Sequence, residues 1–179
     1  MKKQTMPTIA SAIVALATLS ACGGGSSSAP EAEPASPKAR IAALEASGAL
    51  PKLERTDTVD GLDTNADGIR DDVEAFISTH YSTPEQQAAS RQFASVMQAA
   101  MLVDKEDIAA VKAISLRSSR AVNCIYTRFD PDGDIKPAAV VQELRSISTN
   151  TKQRLLAYLA YAKALDGTTS ALPEGDTCE

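Results

Sequence analysis

Past residue 36 the apolar residues recur every three to four positions, the period of a helix buried on one side, rather than every second position as in a strand. Ser36 and Pro37 open a short first helix, Ile41, Ala42 and Leu44 give it an apolar side, and Gly48 closes it. A second helix begins near Asp71, buries Val73, Phe76 and Ile77, and stops near His80. Thr83, Pro84, Glu85 and Gln86 spell a capping box with proline at the first helical position. The helix it opens is longer, with Phe93, Val96, Met97, Ala100, Met101 and Val103 at helical spacing. Residues 104–107 form another cap, followed by the stripe Ile108, Val111, Ile114, Ala121, Val122, Ile125 and Phe129. A turn at Asp130, Pro131, Asp132, Gly133 and Asp134 ends that stripe. Pro137 opens the longest stretch, with Val140, Val141, Leu144, Ile147, Leu155, Tyr158, Leu159, Ala162 and Leu165 on one side, a possible break near Thr149 and Asn150, and Gly167 as the stop. No alternating, β-branched run of strand length remains. The predicted class is therefore all-α, an irregular bundle of about five helices carried by residues 38–179.

One stretch follows neither period. Residues 63–74 read DTNADGIRDDVE and place oxygen donors at the first, third, fifth, seventh, ninth and twelfth positions of a calcium loop. They are Asp63, Asn65, Asp67, the carbonyl of Ile69, Asp71 and Glu74, and the sixth position, which must turn sharply, is Gly68. Carboxylates, an amide and a carbonyl suit Ca2+, a hard cation taking six to eight oxygens, better than zinc or copper. An acidic turn capping the next helix would explain Asp71, Asp72 and Glu74, but not the spacing of the earlier donors.

The loop resembles that of EF-hand proteins, and its DxNxDG core is shared with dockerins and thrombospondin type 3 repeats. Two departures stand out. Pro51, Gly61, Thr56, Thr58 and Val59 argue against an incoming helix over residues 50–62. The eighth position, apolar where EF-hands pair, is Arg70, and the chain holds no second loop. The resemblance implies a lone loop-helix unit of the kind found in extracellular calcium modules. The segment LERTDTVDGLDTNADGIRDDVEAFI, followed by helices and a late cysteine, looks like small bacterial envelope proteins with a single EF-hand-like loop.

The first residues carry a different signal. Residues 1–21 combine two lysines, an apolar run over 9–19 and small residues, the pattern of a secretory leader too short to span with flanks. Leu19, Ser20, Ala21 and Cys22 resemble the lipobox of bacterial lipoproteins, which implies a diacylglycerol on Cys22, cleavage before it and acylation of the new amine. The competing reading is an ordinary leader cut at a small residue, which leaves Cys22 as a free or disulfide-bonded thiol. More than one acyl chain gives stable anchoring without a spanning helix. Gly23 follows the cysteine where an Asp would favour inner-membrane retention, so the expected address is the outer membrane. Low-complexity residues 23–37 then form a linker of about 15 residues, spanning roughly 20 Å.

With Cys22 lipidated, Cys124 and Cys178 have only each other, and export favours a disulfide between them. Closing a loop of roughly 54 residues contributes about 4 kcal/mol in the chain-entropy picture. The alternative is a buried, inert Cys124 and a free thiol at Cys178.

Composition narrows the function. With 44% hydrophobic residues but no Trp and few aromatics, the core must be built of Ala, Leu, Ile, Val and Met. The net charge of −5 becomes more negative once Lys2 and Lys3 leave with the leader, which argues against nucleic acid as a partner. His80 is the sole histidine and sits comfortably at a helix C-terminus, so no catalytic role is assigned to it. Asp130, Asp132 and Asp134 repeat the first three ligand positions, yet Ile135 and Val141 occupy the sixth and twelfth, leaving a solvated turn. Met97 and Met101 read as core, Arg117 and Arg120 as solvent-facing. These readings converge on a non-enzymatic, lipid-anchored calcium-binding module with a structural or interaction role, whose expected partners are the membrane, through the anchor, and an envelope protein. An envelope hydrolase with a structural ion, or a calcium switch, are the alternatives.

Overall fold

The computed structural model describes residues 36–169 and 173–179; the leader, Cys22 and all but the last two linker residues lie outside them. Six helices form among the described residues: α1 Pro37–Ala46, α2 Asp71–His80, α3 Pro84–Leu102, α4 Ile108–Arg128, α5 Pro137–Ser148 and α6 Lys152–Ala164. Among the described residues there is no strand, and the fold is the expected irregular all-α bundle.

The caps set the helix starts. Thr83 Oγ1 accepts from the Gln86 amide at 3.2 Å, and Asp107 Oδ1 accepts from the Ala110 amide at 3.0 Å, each satisfying an amide that the first turn leaves unpaired. Thr151 Oγ1 accepts from the Arg154 amide at 3.3 Å and starts α6. The long C-terminal stretch is thus two helices, broken near Thr149 and Asn150 as the sequence suggests, which makes six among the described residues.

Helix α3 is the centre, packing on α2, α4, α5 and α6. Phe93, Val96 and Met97 from α3 join Val73 and Ile77, Ala121 and Ile125, and Val140 and Leu144, all nearly inaccessible. Tyr81 and Phe129, their ring centroids 5.2 Å apart at 80°, fill the space between helix ends in an edge-to-face contact. Burial of the Tyr81 ring, with the Glu143 charge beside it, pushes its hydroxyl well above the usual tyrosine range.

The apolar stripe predicted across residues 140–165 is corrected by the break. Val140 and Leu144 are fully buried, but Leu155 and Leu159 are exposed, as is Ala162. The non-helical residues between α5 and α6 reset the angular phase, so that Arg154 and Tyr161 point inward instead. Four further apolar positions, Ile41, Ala42, Leu44 and Ile108, depart from expectation. Ile108 is 45% exposed, and Ile41 and Leu44 face solvent on α1, a helix with no buried residue. No helix among the described residues is long and apolar enough to cross a membrane.

The sulfurs of Cys124 and Cys178 lie 2.02 Å apart, the bridge expected from the cysteine count. It fixes the tail against α4. Asn123 Nδ2 donates to the Gly175 carbonyl, Thr177 Oγ1 to that of Arg120, and Gln92 Nε2 to that of Thr177.

Candidate metal centre

The segment before the loop, residues 51–62, is extended and irregular, as its proline, glycine and β-branched residues require. Polar bonds hold it in place of a helix. The Glu54 amide donates to Asp72 Oδ2 at 2.8 Å, and the Asp60 carbonyl accepts from Gln98 Nε2 of α3 at 2.7 Å. The Asp71 amide donates to the Leu62 carbonyl at 2.9 Å, which closes the two ends of the loop on each other.

Inside the loop the acidic side chains fold back on its own backbone. Asp63 Oδ2 accepts from the Gly68 amide at 2.9 Å and Oδ1 from the Asp67 amide at 3.3 Å. Asp67 Oδ1 accepts from the Ile69 amide at 2.9 Å, and Asn65 Oδ1 from the Asp67 amide at 3.2 Å. Such side-chain turns curl the backbone around its carboxylates. Gly68 takes φ 83° with open space where a Cβ would stand, and Ala66 is left-handed too, at φ 57°. That conformation costs an L-residue about 1–2 kcal/mol, and alanine has no side-chain group to offset it.

Asp67 and Glu74 meet across the loop. Asn65 Nδ2 donates to Asp67 Oδ2 at 2.9 Å and to Glu74 Oε2 at 3.2 Å, so one amide bridges the fifth and twelfth positions. Partial burial, with the Asp67 charge beside it, raises the Glu74 carboxyl above its ordinary value, although Arg91, at 3.6 Å, pulls the other way. Asp71 behaves oppositely: hydrogen bonds from the Thr64 hydroxyl, at 2.6 Å, and amide, at 2.9 Å, hold its carboxyl below the usual range.

Among the described residues no three or more His, Cys, Asp or Glu side chains already converge on one point. The donor set nevertheless fits a hard cation. Two carboxylates that repel each other face the same amide, and two further carboxylates and an asparagine oxygen border the same turn. An ion here would be held by Asp63, Asn65, Asp67, the Ile69 carbonyl, Asp71 and Glu74. The Ile69 side chain, 5% exposed, is a core residue in its own right.

The residue that the sequence marked only as a departure is the loop's main anchor. Arg70 is 1% exposed. Its Nε and Nη2 fork onto Asp72 at 2.9 and 2.7 Å, Nη1 donates to the Ser148 carbonyl at 3.0 Å and Nη2 to that of Ile147 at 3.3 Å. Beside it lies Arg154, fully buried, donating to the Glu54 carbonyl at 3.0 Å, to the Glu54 carboxylate and to Asn150 Oδ1 at 2.9 Å. Asn150 Nδ2 returns a bond to the Glu54 carbonyl at 2.7 Å. Two arginines and two carboxylates thus form one neutral cluster, with nearly every donor matched. Deleting one member of such a buried group typically costs about 3–5 kcal/mol. Gly61 caps the cluster at φ 70°, where an added Cβ would stand 2.5 Å from Arg70 Cδ. Local patterning carries no trace of these partners, because Arg154 reaches Glu54 across most of the chain.

A cavity of about 370 Å³ borders the loop between Asp67, Ile69, Arg91, Gln92, Ser95 and Glu179. A larger groove, about 550 Å³, runs between α2 and the segment after α1, past Phe76, His80 and Glu143. There His80 Nε2 is 3.5 Å from Glu143 Oε2, and its ring stacks on Phe76 at 4.7 Å between centroids. The other groove carboxylates are engaged: Asp72 with Arg70, Glu45 with Arg55. Asp130, Asp132 and Asp134 sit in a separate turn, far along the chain from the loop, and Met97 and Met101 are core as expected. No known family, no curated protein and no solved structure matches the chain.

Proposed function

We propose that this protein is a calcium-binding lipoprotein of the bacterial envelope, tethered to the outer membrane by acyl chains on Cys22, with a structural or interaction role and no enzymatic one. The reading rests on the lipobox residues and the complete donor set of residues 63–74. The observation that carries it is the meeting of Asp67 and Glu74 on the Asn65 amide in a loop whose ends are closed by Asp71 and Leu62. A cation between those carboxylates would offset their mutual repulsion. External modules of this chemistry bind at about 10⁻⁴ to 10⁻³ M, which suits an ion that stays loaded outside the cell rather than a cytosolic signal.

The test is a thermal melt of the protein with its disulfide intact, in excess calcium and then in chelator. An ion that binds only the folded chain, at 100 times its dissociation constant, adds about 2.7 kcal/mol, several degrees of midpoint for a domain of this size. A midpoint that ignores calcium would make the loop an acidic helix cap and end the proposal. Labelling with a radioactive fatty acid, lost in Cys22→Ser, checks the anchor separately.

A further inference from the structure

A paired EF-hand fixes its ligands by two means, an incoming helix and a second loop alongside. This chain has neither near residues 63–74. What stands in their place is the buried cluster of Arg70, Asp72, Glu54 and Arg154. We infer that Arg70 and Arg154 are positioning residues for the calcium site, and that they set the spacing between its early and late ligands; this rests on the calcium reading above.

The geometry runs as a closed circuit. Asp63, Asn65 and Asp67 belong to the entry side, and Asp71 and Glu74 to the first turn of α2. Asp72 lies between the two late ligands and is not itself one of the donors, its carboxylate being taken up by other partners. Its Oδ1 accepts from Arg70 Nε and the Val73 amide, and its Oδ2 from Arg70 Nη2 and the Glu54 amide. The exit helix is thereby tied to the entry segment through one carboxylate. Arg70 then fastens that carboxylate to the end of α5 through the carbonyls of Ile147 and Ser148. Arg154 fastens the entry segment to the start of α6 through both the carbonyl and the carboxylate of Glu54, with Val59 accepting from its Nε at 3.4 Å. Entry and exit are held to the same corner of the bundle. Changing either arginine therefore alters the distance the ligands must span, although neither arginine is a donor to the ion. Residues behind metal ligands commonly govern affinity by 10- to 100-fold.

The test is calorimetric titration of calcium chloride into the full chain in detergent, at a temperature where circular dichroism shows each variant folded. Arg70→Met and Arg154→Met are expected to weaken calcium binding by about tenfold or more. Combining them should weaken it by less than the product of the two, because both act through one circuit. Val111→Ala, a fully buried α4 position outside the circuit, provides a destabilised control whose affinity should stay within about twofold of wild type. If a methionine variant does not fold, Arg70→Lys keeps the charge but loses the fork onto Asp72, and should still bind about threefold or more weakly. Wild-type affinity in the folded arginine variants, or an equal loss in Val111→Ala, overturns the inference while leaving the calcium reading intact. Absence of binding by the wild type overturns the calcium reading and this inference with it.

Discussion

The chain contains two aspartate-rich turns with the same opening, Asp63, Asn65, Asp67 and Asp130, Asp132, Asp134, and they fold differently. In the first, the leading carboxylate accepts from amides four and five residues on, and the backbone closes around it. In the second, Asp130 Oδ1 accepts from the Asp132 amide at 2.8 Å and its carbonyl from Gly133 at 3.1 Å, a turn of ordinary size finished by Lys136 Nζ on the Pro131 carbonyl. The sixth residue decides between them. Gly68 can turn left-handed, whereas Ile135 packs its side chain against the core. Carboxylate spacing alone therefore does not set how such a turn folds; the residue at its sixth position does.

That comparison breaks most visibly at the ligands. Asp63→Ala and Glu74→Ala should each abolish the calcium-dependent rise in melting midpoint, a loss of about 2.7 kcal/mol at 100-fold excess over the wild-type dissociation constant. Asp130→Ala and Asp132→Ala should leave that rise intact; a comparable loss there would move the ion to the second turn. The glycines come next. Gly68→Ala should cost about 1–2 kcal/mol in a denaturant melt, since φ 83° is strained for alanine even with free space around it. Gly133→Ala places a Cβ 3.2 Å from that of Asp130 without left-handed strain, and should cost less.

Acidity sharpens the comparison further. Glu74 has a raised carboxyl in the folded chain, so its contribution without calcium is fully present below the unfolded value and is lost as pH rises through the folded one. Calcium requires the deprotonated carboxylate. The calcium-induced midpoint shift should therefore shrink as pH falls into the carboxylate range, with protons released on binding, and calorimetry in two buffers of different ionisation enthalpy reads that release. The smallest effect is at Ala66, where glycine would relieve the left-handed strain and stabilise the chain without calcium by about 1 kcal/mol.

Local chemistry explains what was legible. Caps at Thr83 and Asp107, the missing helix before Asp63 and the loop itself depend on residues within a few positions of each other. The same holds for the Val73, Phe76 and Ile77 face. The direction of α6 does not, because a short interruption near Asn150 rotates everything after it, and a stripe drawn across the break assigns Leu155 and Leu159 to the wrong side. Arg70 and Arg154 were illegible for a related reason. A charged residue is normally read as exposed, and only the fold brings carbonyls from the end of α5 and the carboxylate of Glu54 to meet them.

The way Glu54 is held also bears on how the chain would respond to mechanical load. Its amide, carbonyl and carboxylate are each bound to a different element, namely α2 through Asp72, the α5–α6 corner through Asn150, and α6 through Arg154. Helix α1, which buries nothing, precedes it. A pull from the N-terminal side would unwind α1 first and then meet Glu54 as a stop, so that the load ends at the arginine–carboxylate cluster before it reaches residues 63–74.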